Sequence, residues 1–183
     1  MTKEDQINII NSTINKAREN LRLLSFNLIF WGVMINLMSA FHYFFKPVIE
    51  FSKYSVVLYW TFIPILGLVY MIRWNIKRGI EIGYETVLDR TIKIIWSVFG
   101  FGWFFIVISS LLIGKSPVPQ ILFLLGLVLV MNGLIIKFKP LTIGGIFLFI
   151  FVLINDSNPG INYLIVNMIG VTLGMLIPGL FLY

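Results

Sequence analysis

The chain reads as an all-α, polytopic membrane bundle: six transmembrane helices preceded by an N-terminal amphipathic cytoplasmic helix. Three observations predict that class. Of 183 residues, 58% are hydrophobic and 12% charged, against about 25% charged in a soluble domain. The apolar residues gather in six runs separated by short polar breaks. No Asp, Glu, Lys or Arg falls inside any of those runs. Too few polar residues remain to cover a water-exposed surface, and the 17 Phe suit one that faces lipid.

Residues 1–23 come first. Ile7, Ile10, Ile14, Ala17, Leu21 and Leu24 alternate at spacings of three and four, which makes one apolar helical face. The opposite face holds Asn8, Asn11, Asn15, Lys16, Arg18 and Glu19. Thr2-x-x-Asp5 offers a cap for its start. Such a helix lies on the membrane surface or against the cytoplasmic loops of its own bundle. The same face would also dock a partner helix or a second copy. No apolar core precedes a small-residue cleavage site, so a cleavable signal peptide is not expected.

The six runs span residues 24–45, 54–72, 94–113, 118–136, 141–154 and 161–183. Crossing about 30 Å of hydrocarbon takes roughly 20 helical residues. Five runs qualify by length and the run 141–154 is short. A re-entrant hairpin of the fourth and fifth runs would put Lys137 and Lys139 near the bilayer centre. Each lysine would cost about 2.5–3.5 kcal/mol there at least, so the fifth run is read as a short span with local thinning.

Orientation follows from the cations. With the N-terminus inside, eleven Lys and Arg fall in cytoplasmic segments and three outside (Lys46, Lys53 and Lys115). That is a positive-inside bias, and six crossings return the C-terminus to the cytoplasm. It also explains the net charge of +6 without nucleic acid. Aromatic residues agree in depth: Tyr70, Trp74, Trp96 and Tyr183 fall at the inner interface, and Tyr43, Tyr54, Tyr59, Trp60 and Tyr163 at the outer one. The outer breaks are short and carry Pro47, Pro117 and Pro159. Inside, residues 73–93 are predicted to turn at Gly79 and Gly83, with Thr86-x-x-Asp89 capping a helix that begins near Val87.

Lys137-Phe-Lys139-Pro140 is the break between the fourth and fifth runs. Two lysines hold a short hairpin on the cytoplasmic side. Pro140 starts the next helix where its missing N–H costs nothing. This stretch is a topology signature rather than an active site.

Chemistry is sparse. Cysteine is absent, so thiolate sites and disulfides are excluded. No phosphate loop, His-Glu-x-x-His, Gly-x-Ser-x-Gly or acidic cluster appears, so no catalytic residue, metal or cofactor is assigned. The missing intramembrane charges argue against proton relays and ion-coupled carriers. Among polar residues inside the runs, Asn36, Ser39, His42 and Asn167 share the outer half. They make a candidate polar pocket open to the outside, or simply interhelical hydrogen bonds. A lone histidine near the interface reads as an interfacial polar tip. Gly170 and Gly174 form a small-xxx-small motif suited to close packing within the chain or between copies, and Gly100, Gly102, Gly144 and Gly145 read likewise. Pro64 and Pro178 sit inside runs and are candidate kinks.

Phe30-Trp31-Gly32, Thr86-x-x-Asp89-Arg90, Gly133-Leu-Ile-Ile-Lys-Phe-Lys-Pro140 with Gly144-Gly145, and Ile177-Pro178-Gly179 resemble a family of uncharacterised small six-helix membrane proteins of Bacteroidetes. The resemblance covers nearly the whole chain, with the Ile-Lys-Phe-Lys-Pro turn its most specific part. It implies the architecture and a bacterial inner membrane, and supplies no functional residues.

The functional expectation is a non-enzymatic accessory or regulatory protein, embedded in lipid, whose working surface is cytoplasmic: residues 1–23 with the 73–93 loop. The alternative is a carrier or channel for a small neutral or apolar solute through the Asn36/His42/Asn167 region. A membrane enzyme, for instance one pairing His42 with Ser109 or Ser110, ranks last because no nucleophile–base–acid spacing asks for it.

Overall fold

A computed structural model describes the backbone of residues 3–83, 86–113, 117–158 and 160–183. Side chains are described at residue 6 and from residue 21 onward, apart from Lys53, Ile82 and Asp156. The described chain is helical throughout, without a strand. The helices are α1 (Lys3–Phe44), α2 (Lys46–Ile49), α3 (Lys53–Ile82), α4 (Val87–Ile113), α5 (Val118–Ile135), α6 (Lys139–Ser157), α7 (Tyr163–Val171) and α8 (Ile177–Leu182). A π-helical turn, Thr172–Leu176, joins α7 to α8 into one composite final helix.

Five helical stretches are long and apolar enough to cross a membrane: Leu21–Phe44, Tyr54–Glu81, Val87–Ile113, Val118–Ile135 and Tyr163–Leu182. The short run 141–154 lies in α6, whose apolar part, Lys139–Asn155, falls just below that measure.

Two boundaries differ from the sequence expectation. Residue 24 is not a break, because α1 runs as one helix of 42 residues, about 63 Å long. The polar first half and apolar second half change solvent, not conformation. The apolar seam at Ile7, Ile10, Ile14 and Ala17, and the Thr2 cap, lie outside the described side chains. The second helix continues ten residues past Ile72, to Ile82. Straight-chain residues there favour helix, and Arg78 Nη1 holds Glu81 Oε2 at 2.9 Å one turn on. Gly79 stays helical, and Gly83 ends the helix in the left-handed conformation, at φ 73°.

Two helix starts, those of α3 and α4, carry capping boxes. Thr86 and Asp89 form the expected box: Thr86 N and Oγ1 donate to Asp89 Oδ2 at 2.9 and 2.7 Å, and Asp89 N donates to Thr86 Oγ1 at 3.1 Å. A second box, Ser52 with Ser55, starts α3. Pro140 stands in the first turn of α6.

α5 ends in a Schellman turn. Phe138 N donates to Gly133 O at 2.8 Å, and Lys137 N to Leu134 O at 3.3 Å. Lys137 takes the left-handed position, φ 55°.

The core lies between α1, α5, α6 and the final helix. Leu24, Leu28, Leu122, Leu125, Leu129, Leu141, Leu148, Val166, Val171 and Met175 fill it, with Ile92 of α4 at one end. α6 is its centre, because consecutive glycines face two neighbours. A Cβ on Gly144 would stand 2.6 Å from Gly174 O, and one on Gly145 2.7 Å from Gly126 O. The backbones of α6, α5 and the π turn therefore touch. Gly170 and Gly174 both face α6, against Leu148 and Gly144, so this motif packs within the chain. Gly102 seats Leu124 of α5, whereas Gly100 faces open space.

α3 and α4 are peripheral. Only 11% and 6% of their apolar windows are buried, against 33–50% in α1, α5 and the final helix. α3 reaches α1 through large rings instead: Trp74 stacks on Phe26 at 4.2 Å and Tyr70 on Phe30 at 5.5 Å.

Candidate functional site

α1 carries a polar row. Ser25, Asn36 and Ser39 recur near multiples of one helical turn, so all three meet the antiparallel final helix. Ser25 Oγ donates to Gly179 O at 2.8 Å, Asn36 Nδ2 to Thr172 Oγ1 at 2.9 Å, and Asn167 Nδ2 to Ser39 Oγ at 2.8 Å. Ser39 is wholly buried and Asn167 is 6% exposed. With no water to compete, these bonds fix register between helices that apolar burial alone would let slide.

His42 continues the row but turns the other way. Trp60 Nε1 donates to His42 Nδ1 at 2.9 Å, and His42 Nε2 meets Glu50 Oε1 at 3.1 Å. An indole N–H only donates, so Nδ1 carries the lone pair and Nε2 the proton given to Glu50. A proton on Nδ1 would set two N–H groups against each other. His42 is fully buried, not the interfacial tip its position suggests. The reason is α2, which folds the chain back so that Glu50, its C-cap residue, reaches the ring. Tyr59 OH donates to Met38 O at 2.9 Å beside it.

The four residues read as one pocket thus fall into three hydrogen-bonded groups: Asn36 with Thr172, Ser39 with Asn167, and His42 with Trp60 and Glu50. Both His42 ring nitrogens are occupied, and neither meets a serine. Ser109 and Ser110 instead line a separate cleft of about 270 Å³ with Phe105, Ile106, Ile113 and Gln120, at the α4–α5 end of the bundle. Among the described residues, no cluster of three His, Asp or Glu is placed to hold a metal.

Four buried polar atoms lack partners among the described residues: Asn36 Oδ1, Thr61 Oγ1, Trp96 Nε1 and Asn132 Oδ1. Asn132 Nδ2 only back-bonds to Val128 O at 2.8 Å.

Sequence reasoning missed Ser25, Glu50 and Trp60. Ser25 was findable, since it lies eleven residues before Asn36, about three turns on the same face. Glu50 and Trp60 carry no such signal, because α2 sets their place.

At the C-terminal end of the final helix, Arg22 Nη2 donates to Tyr183 OH at 3.2 Å and its guanidinium lies 5.4 Å from that ring. Comparison with known proteins found no matching family model, no matching curated protein and no matching solved structure.

Proposed function

We propose that the chain is a six-span protein of the bacterial inner membrane, with both termini cytoplasmic. It works without catalysis, as an accessory or regulatory protein whose partner docks on residues 1–23 and the α3–α4 bend. One observation carries this: α1 is unbroken from Lys3 to Phe44. Whatever grips its first 20 residues holds the same rod that Ser25, Asn36 and Ser39 lock to the final helix. Docking is therefore coupled mechanically to the bundle.

Six crossings rest on the α5–α6 hairpin. The two helices touch at Gly126 with Gly145 and at Gly133 with Thr142, so α6 shares the depth of α5. Its 19 residues make about 28 Å of helix, near the hydrocarbon thickness. The cation asymmetry and the resemblance to the Bacteroidetes family support orientation and location.

Two experiments test the proposal. The chain has no cysteine, so single Cys at Lys46, Lys77 or Lys139 can be mapped with an impermeant maleimide on intact cells. Lys46 should react from outside and the others only after lysis. For the docking role, photo-crosslinkers replacing Ile10 and Ile14 in native membranes should give a discrete protein adduct. Adducts with lipid or the chain itself alone would sink it.

A carrier for a small neutral solute is the second reading. It is favoured by Asn36, whose Oδ1 lacks a partner among the described residues and whose Nδ2 donates to Thr172 at the start of the π turn, a feature common at functional sites. Asn36→Leu would abolish uptake by reconstituted protein if the carrier reading holds.

A further inference from the structure

We infer that the α5–α6 turn is a binding site for the phosphate of an anionic lipid headgroup, formed by Lys137, Lys139 and Arg90. The observation behind it is a residue in the wrong conformation for its type. Among the described residues two backbone positions are left-handed, and each ends a helix. At Gly83, φ is 73° and the residue is glycine, as such a cap prefers. At Lys137, φ is 55° and the residue is lysine. The turn there is a complete Schellman motif, whose left-handed position is usually Gly and sometimes Asn. A Cβ is unfavourable at that position. Backbone outliers that persist against a better-suited residue point to function, and what lysine adds over glycine is a positive charge at the membrane surface.

The surroundings complete the site. Lys137 and Lys139 are both exposed at the turn. α4 runs antiparallel to α5 with Gly102 against Leu124. Arg90 lies as far below Gly102 as Ile136 lies above Leu124, so its exposed side chain starts level with the turn. The acid described nearby, Asp89, already accepts from Thr86 N and Oγ1. On that register three cations stand beside one short turn, at headgroup depth. Basic pockets between spans on the cytoplasmic side hold anionic headgroups by this chemistry.

The inference rests on the turn lying at a membrane surface, which the cysteine mapping tests separately. Symmetric vesicles present the same lipid on both faces, so orientation does not enter. The purified chain is reconstituted in phosphatidylcholine alone and in an equal mixture with phosphatidylglycerol, and its thermal midpoint is read in each. Wild type should melt higher in the mixture. Lys137→Gly should melt higher than wild type in phosphatidylcholine, because strain is relieved, yet lose the rise in the mixture. Lys139→Gln and Arg90→Gln should each shrink the rise, and Lys77→Gln, exposed on α3, should keep it. A full rise in Lys137→Gly would overturn the inference. So would an equal loss in Lys77→Gln, which would mean diffuse attraction, or a rise reproduced in phosphatidylcholine by inorganic phosphate alone.

Discussion

The ring of His42 shows how little freedom a buried polar group has in this bundle. Its Nδ1 is satisfied by one donor, the Trp60 indole at 2.9 Å. Trp60→Phe keeps most of the apolar ring and removes that donor. A buried acceptor left unpaired costs about 1–3 kcal/mol, so the variant should be less stable by that amount and melt at a lower temperature. His42→Phe combined with Trp60→Phe removes acceptor and donor together. Much of the loss should then return, because Glu50 is 39% exposed and water can solvate it. A Trp60→Phe chain as stable as wild type would mean that the bond contributes nothing. Sequence alone makes His42 an interfacial tip and misses its burial. Of its two partners, Trp60 lies in the second apolar run and Glu50 in the break before it, where α2 brings it to the ring.

Helices in this chain are legible by their solvent, and their ends by their caps. Apolar runs mark where a helix meets lipid, so all six appear as helices. They say nothing of where a helix stops, which is why α1 and α3 extend well beyond their runs. Where a cap was readable, as at Thr86-x-x-Asp89, the boundary fell at Val87 as expected. Glycine spacing is less legible. Gly100 and Gly144 look alike in sequence, yet Gly100 faces open space and Gly144 touches the Gly174 backbone. Gly100→Ala should therefore stabilise by about 0.5–1 kcal/mol, the difference between these residues inside a helix. Gly144→Ala forces α6 away from the π turn against backbone, which cannot swing aside as a side chain can. It should destabilise by about 1–3 kcal/mol, the usual cost of overpacking. Melting of the two purified variants, moving in opposite directions, checks the assignment. Movement in the same direction would refute the α6 contact.

The molecule as a whole is a four-element core with two peripheral helices, an organisation that hydropathy does not reveal. α3 and α4 are as apolar as the core helices, with mean hydropathy 2.0 in each, because lipid and protein interior are equally apolar solvents. What separates them is small and polar residues. α6 offers glycines to two neighbours, and α1 offers Ser25, Asn36 and Ser39 to the final helix. The first and last helices are thus joined directly, so the fold closes on itself without help from the α3–α4 bend. A protease site inserted after Gly83 would leave two fragments, α1–α3 and α4–α8, held by that closure and by Leu24 and Leu28 in the shared core. The fragments should co-elute in mild detergent after cleavage. The triple variant Ser25→Ala, Asn36→Ala, Ser39→Ala removes three interhelical bonds. Each is worth about 0.6 kcal/mol between membrane helices, so together they weaken association by roughly 20-fold on the usual conversion of free energy to affinity. Cleaved triple variant should separate at concentrations where cleaved wild type stays whole. Equal retention of both would assign the closure to apolar packing alone, and separation of cleaved wild type would deny that the first and last helices close the fold.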